Sequence, residues 1–215
     1  MNTTIVTALF DINREEKGDG RKVSEYLNWF KKTLQLNCNL FIVTEEKFYQ
    51  FILDNRPKKY STHIKIDKLE NAKYYKYKEK MNEIINSKEY REKIMYPNRV
   101  ECKLSEYNII QYSKFGWLED AIELNVFKSD YFFWVDAGIS RFFLKVKLNN
   151  HYPGKSGIRF ISKYNDKFII QQRRDLETYN IDDNFIWGAE NLLKGTMFGG
   201  NKDIIKTISN LVEEK

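Results

Sequence analysis

Three short runs are apolar or β-branched almost without interruption: TIVTALF at Thr4–Phe10, CNLFIVT at Cys38–Thr44 and DYFFWV at Asp130–Val135. A strand with one wet face alternates apolar and polar side chains, whereas one that is apolar throughout has to be covered on both faces. Between the first two runs Val23, Tyr26, Leu27, Phe30 and Leu34 recur at helical spacing. Strand, helix and strand in that order predict an α/β layered domain around a mainly parallel, Rossmann-like central sheet. With 215 residues the chain is expected to form one domain, 1–215.

The remaining pattern extends this scheme. Glu45–Asp54 is expected as a short helix and Tyr60–Ile66 alternates like an edge strand. A charged, mostly helical stretch runs from Lys68 to about Tyr96, before Pro97, and Ser105–Asn125 is a further helix. Arg159–Ser162, Lys167–Gln171 and Thr196–Phe198 are expected as later, less regular strands that make the sheet mixed, and Asn201–Glu214 as the last helix.

Composition narrows the function classes. Aromatic residues make up 15% of the chain, far more than a disordered segment carries. The longest apolar runs are a few residues, against about 20 for a membrane span. Met1-Asn2-Thr3-Thr4 has no basic start or long apolar core of a leader, so a cytoplasmic location is expected. Two cysteines, Cys38 and Cys102, and two histidines, His63 and His151, cannot build a disulfide scaffold or a His-rich metal cage. The net charge of +6 favours anionic partners, although the basic residues are interleaved with 30 acids. The densest basic stretch, Lys73-Tyr74-Tyr75-Lys76-Tyr77-Lys78-Glu79-Lys80, has two readings: a stacking and phosphate-neutralising surface for nucleic acid, or a helix with Tyr inside and Lys outside.

Ligands of open α/β sheets bind beyond the carboxyl ends of the central strands. That rule selects the loop after the first run, with Asp11, Arg14 and Arg21, the turn Asp136-Ala137-Gly138 after DYFFWV, and Phe198-Gly199-Gly200. The arginines suit phosphate or carboxylate. Asp136, at the end of an apolar strand, either ligates a hard divalent cation or caps the turn into Ile139–Phe143. Lys114 falls on one helical stripe with Ile110, Trp117, Ala121 and Leu124, so its ammonium either snorkels outward or meets an anion. Gly199-Gly200 reads as a strand end bare of side chains, and Glu190 as a carboxylate among small and aromatic residues.

Together these segments resemble a family of bacterial and viral proteins called HtrL/YibB-like. The matching stretches are TIVTALFDINR with Arg21 and EYLNWF, NLFIVTEE, YNIIQYSKFGWLEDAIELN, SDYFFWVDAGISRFF and GTMFGGNKDI. The resemblance implies a nucleotide-sugar glycosyltransferase of the GT-A fold. In such enzymes an Asp-x-Asp motif after a central strand holds a divalent metal, Mn²⁺ or Mg²⁺, and the donor diphosphate. Asp136-Ala137-Gly138 takes that place with its second acid replaced by Gly138, which leaves Asp136 as the expected metal ligand.

That resemblance, with one strand end, one loop and one inward-facing helix lysine converging on the same rim, gives further residues expected roles. Thr7, Ala8, Leu9, Phe10, Arg14, Arg21 and Lys114 are expected around the nucleotide and phosphates, with Asp136, Ala137 and Gly138 beside the diphosphate. Phe198-Gly199-Gly200 is similar to the element that lines donor sugar and acceptor. GT-A enzymes usually carry a further acidic segment after the last helix; here either that segment is missing or the catalytic acid is Glu190 or a neighbour. Glu190 is expected as the base if configuration inverts, and no separate base is needed if it is retained. The donor would be a UDP-sugar or another nucleotide sugar, and the acceptor a glycan, lipid or protein. Two alternatives stand beside this reading: a GT-A-like domain that binds a nucleotide sugar without turnover, and a nucleic-acid-binding protein that uses the Tyr/Lys stretch.

Overall fold

The three apolar runs become three neighbouring parallel strands. The structure, a computed structural model, describes residues 2–178, 182–188 and 192–214. In chain order its elements are β1 Thr3–Leu9, α1 Arg14–Lys17, α2 Val23–Thr33, β2 Asn39–Thr44, α3 Tyr49–Asn55, β3 Thr62–Ile66, α4 Lys78–Asn86, α5 Lys88–Lys93 and α6 Ser105–Leu124. Then come β4 Tyr131–Val135, α7 Lys155–Lys163, β5 Ile169–Gln172, α8 Phe185–Gly188, β6 Leu193–Asn201 and α9 Lys202–Glu213. One six-stranded sheet runs β3-β2-β1-β4-β6-β5. β1 pairs in parallel with β2 and with β4, and β2 with β3, while β6 is antiparallel to both β4 and β5. Val6 sits opposite Phe41 on one side and Trp134 on the other.

Both faces are covered, which is why the runs do not alternate. Val6, Phe41, Val43, Phe132 and Trp134 pack under Ile109, Trp117, Leu118, Ala121 and Ile122 of α6 and Ile205 of α9. Leu9, Leu40 and Ile42 point the other way, onto Phe30 and Leu34 at the end of α2 and onto Phe48 and Ile52. Tyr131 and Phe133 meet Ile161 of α7 on the remaining patch. The result is a single mixed, mostly parallel α/β domain.

Three expectations are corrected. Arg159–Ser162 lies inside helix α7: Gly154 follows Pro153 as its N-cap and Ile161 is its buried anchor. The strand expected at Thr196–Phe198 extends over Leu193–Asn201, so Gly199 and Gly200 are inside it. Leu124, the last residue of α6, is exposed and leaves the stripe that Lys114 shares with Trp117 and Ala121. The charged stretch after Lys68 is helical but broken at Ser87, whose extended backbone ends α4 and whose hydroxyl caps α5 by accepting from Tyr90 N.

Candidate functional site

β2 lies on one side of β1 and β4 on the other, so the chain leaves the carboxyl ends of β1 and β4 in opposite directions and a crevice opens between them. This cleft encloses about 950 Å³ of non-protein space, its open mouth included. Ala8, Leu9 and Phe10 form its floor, Arg14, Arg21 and Tyr26 one wall, Tyr107, Gln111 and Lys114 of α6 another, and the residues after β4 its rim. Among the described lining residues four cations, Arg14, Arg21, Lys114 and Arg141, face two carboxylates, Asp11 and Asp136. That balance favours an anionic ligand.

Asp136 stands where β4 ends. Its backbone N–H donates to the Thr196 carbonyl at 2.9 Å, which keeps β4 and β6 together at the rim. Its Oδ1 accepts from Lys114 Nζ at 2.8 Å and from Trp134 Nε1 at 2.7 Å. Lys114 is only 3% exposed, donates also to the Gly195 carbonyl at 2.8 Å, and lies over the Trp134 ring. It does not snorkel. The Asp136 side chain does not cap the following turn either; that turn closes through the backbone, Ile139 N to Asp136 O. Oδ2 accepts no protein hydrogen bond among the described residues, and the side chain, 28% exposed, lines the cleft.

Helix α2 is fastened to the loop beyond Asp136. Thr33 Oγ1 donates to the Ala137 carbonyl at 2.8 Å, and Ser140 Oγ to the Trp29 carbonyl at 2.6 Å. This brings the Trp29 indole against Gly138, where a Cβ would lie 3.2 Å from the ring. Two guanidiniums rest on the same indole, Arg21 at 5.7 Å and Arg141 at 5.4 Å from the ring centre. Arg21 has Asp19 only at 3.9 Å, and no carboxylate among the described residues pairs with Arg141. Arg14 differs. It is buried, donates Nε and Nη2 to the two oxygens of Asp19 at 3.0 and 2.6 Å, and donates a further, short hydrogen bond to Tyr26 Oη. Burial works against the Asp19 charge, but the Arg14 hydrogen bond and charge, with Arg21 behind them, hold the carboxyl below its ordinary range. On the α6 wall Tyr107 is pushed up to about 12, first by burial and then by the Glu101 carboxylate, so its hydroxyl keeps its proton.

The structure therefore brings together Ala8, Leu9, Phe10, Arg14, Arg21, Lys114, Asp136, Ala137 and Gly138. Thr7 is not with them: it is fully buried within β1, where a ligand cannot reach it. Gly199 and Gly200 pair with Phe133 and Phe132, toward the start of β4 and away from Asp136. A Cβ on Gly199 would lie 2.3 Å from the Phe132 carbonyl oxygen, so this glycine admits the neighbouring strand rather than a sugar. Glu190 lies outside the described residues. Arg141, Trp29 and Tyr107 escaped the sequence reading. Only the position of Arg141 in the loop after β4 pointed to it.

The metal that the resemblance implies can be tested against this donor set. Mg²⁺ and Mn²⁺ are held by carboxylate and other hard oxygens. Here one carboxylate oxygen is engaged by an ammonium and an indole N–H, position 138 has no side chain, and no group of three His, Cys, Asp or Glu gathers among the described residues. Lys114 cancels the charge that a dication would need. These residues do not fit a resident divalent ion.

The basic stretch before α4 is not an open cationic surface. Lys73 pairs with Glu119 and Glu213 at 2.9 and 3.0 Å, Lys76 with Glu213 at 3.7 Å and Lys78 with Glu106 at 2.9 Å, while Tyr74 is buried. No helix among the described residues is long and apolar enough to cross a membrane.

No curated protein matches the chain in sequence. Among solved structures, the apo form of mouse xyloside xylosyltransferase 1 is similar over 99% of this chain and 70% of that one, at 10% identity and a TM-score of 0.39, too slight a likeness to bear on chemistry. Sequence places the chain more firmly: over residues 1–215 it matches the model of a family described as a bacterial protein of unknown function (HtrL_YibB), and it belongs to that family.

Proposed function

We propose that the protein is a glycosyltransferase that binds a nucleotide sugar in the β1/β4 cleft and moves the sugar to a hydroxyl of a glycan, lipid or protein. The observation that carries the reading is the arrangement at the crossover point: ring-held guanidiniums and one oriented carboxylate share a single rim. The sequence resemblance to GT-A enzymes points the same way. In transfer the bond between the anomeric carbon and the diphosphate oxygen breaks while the acceptor oxygen bonds that carbon and gives up its proton. The sugar passes through an oxocarbenium-like state and negative charge grows on the departing diphosphate. Arg21 and Arg141 lie where that charge can be met. Lys114 and Trp134 hold Asp136 in one orientation, and its free Oδ2 accepts a hydroxyl of the donor. Tyr107, its pKa pushed up to about 12, offers a hydroxyl donor from the α6 wall of the same cleft. Glu190 remains the proposed base.

A second reading is binding without turnover. It draws on the state of the two cleft carboxylates: Asp11 is paired with Lys47 at 3.0 Å and Asp136 with Lys114. A melting-temperature screen against nucleoside diphosphates and nucleotide sugars tests the shared core of both. A rise with at least one nucleotide is expected; no response to any of them contradicts both readings.

A further inference from the structure

The place where a second metal-binding acid would stand is filled. Trp29 packs on Gly138, with its Cε3 atom 3.2 Å from the point where a Cβ would be, and Tyr26 is 3.8 Å from the same point. A Cβ at 138 would meet the ring at 3.2 Å, so the indole would have to give by a few tenths of an ångström. The indole in turn supports Arg21 and Arg141, and Arg21 also lies over Tyr26 at 5.9 Å with its Nη1 donating to Tyr26 Oη at 3.4 Å. Gly138 and the indole that carries the two arginines are thus in direct contact.

We infer that Arg21 and Arg141, carried on Trp29, form a metal-independent site for the diphosphate of the donor, and that Gly138 is glycine so that Trp29 can carry them. The inference rests on the donor reading above and adds which groups bind the leaving group. One principle and two observations support it. A guanidinium fork matches phosphate oxygens and carries a fixed charge. Of the cleft's four cations, Arg14 and Lys114 are committed to carboxylates at 2.6 and 2.8 Å, whereas Arg21 and Arg141 are held mainly by rings, which leaves N–H groups for a ligand. Arg141 and Asp136 lie on the same short loop, so the groups that would meet the diphosphate and the donor hydroxyl are positioned by one backbone. A ring within reach of each guanidinium holds it by cation–π attraction without using its N–H donors.

The test is calorimetric titration of UDP, GDP and ADP into wild type, Arg21→Gln and Arg141→Gln, each in EDTA and in Mn²⁺. At least one nucleotide is expected to bind in EDTA within about threefold of its affinity in Mn²⁺. Each glutamine variant should lose about tenfold or more in EDTA, a size in keeping with a charged hydrogen bond. Arg141→Lys, which keeps the charge without the fork, should fall between. Because Arg141 is exposed, an unchanged unfolding curve is expected and separates loss of binding from loss of fold. Binding that requires Mn²⁺, or binding in EDTA that ignores both arginines, overturns the inference and leaves the donor reading standing. No binding by any of the three in either condition overturns both.

Discussion

Lys114 Nζ stands 2.8 Å from Asp136 Oδ1 and 2.8 Å from the Gly195 carbonyl, so one buried ammonium ties helix α6 to the ends of β4 and β6. The lysine is therefore a support for the rim before it is anything to a ligand. Lys114→Met should cost about 1–3 kcal/mol, the loss of a charged hydrogen bond. Asp136→Asn should cost about 3 kcal/mol, because it leaves a buried ammonium without its counter-charge. In a double-mutant cycle read by urea unfolding, the two should couple by roughly 0.5–3 kcal/mol. Additive effects would mean that the pair does not form.

Gly199 separates packing from ligand recognition. With a would-be Cβ 2.3 Å from the Phe132 carbonyl and 2.5 Å from the Phe133 ring, Gly199→Ala has to force β4 and β6 apart. A cost of about 3 kcal/mol or more is expected, at the upper end for overpacking. Thermal unfolding checks it. A variant as stable as wild type with weakened nucleotide binding would restore the glycine to the binding site.

Gly138→Asp writes the missing acid back into the turn. Destabilisation of about 1–3 kcal/mol is expected as Trp29 is displaced, and weaker nucleotide binding with it. Calorimetry with and without Mn²⁺ reads the result. Tighter, metal-dependent binding at unchanged stability would show instead that the turn is built for a metal.

The Arg14–Asp19 pair sets the acid sensitivity of the cleft wall. The Asp19 pKa is lowered from 3.8 in the folded state, burial opposing and Arg14 outweighing it. A carboxyl so lowered contributes its full stability above its unfolded pKa and loses it as pH falls through the folded one. Wild type should therefore lose more stability than Asp19→Asn between about pH 5 and about pH 2. Near neutral pH the variant should be weaker by about 1–3 kcal/mol, since Arg14 is buried beside it. Parallel urea titrations across that range decide the point; parallel curves would contradict the pairing.

How far the sequence showed all this depends on how local each cause is. The three central strands were legible because coverage on both faces leaves an unbroken apolar run. Lys114 was legible in part: a charge on an apolar stripe has few ways to be satisfied, but the expected partner was solvent or a phosphate, whereas the ammonium meets the Asp136 carboxylate and the Gly195 carbonyl. Arg159–Ser162 was misread because four residues of mixed polarity suit strand or helix alike, and the start at Pro153-Gly154 decides for the helix. Gly199 was misread because a glycine that makes room for a neighbouring strand looks the same in sequence as one that makes room for a sugar. Arg141 was legible only by its place after β4: its guanidinium lies over the ring of the adjacent Phe142 at 4.7 Å, but also over Trp29 of α2 at 5.4 Å, more than a hundred residues earlier in the chain.

The most direct test of the central claim is turnover. Purified wild type and Arg141→Gln are incubated with the nucleotide sugar that most raises the melting temperature, and release of free nucleoside diphosphate is followed by mass spectrometry, with a mixture of glycans as acceptors. Wild type should release the diphosphate, with the sugar recovered on an acceptor or in water. The variant should be at least tenfold slower, about 1.4 kcal/mol of lost transition-state stabilisation. A nucleotide sugar that stays intact with wild type, or one cleaved equally well without Arg141, would contradict the claim.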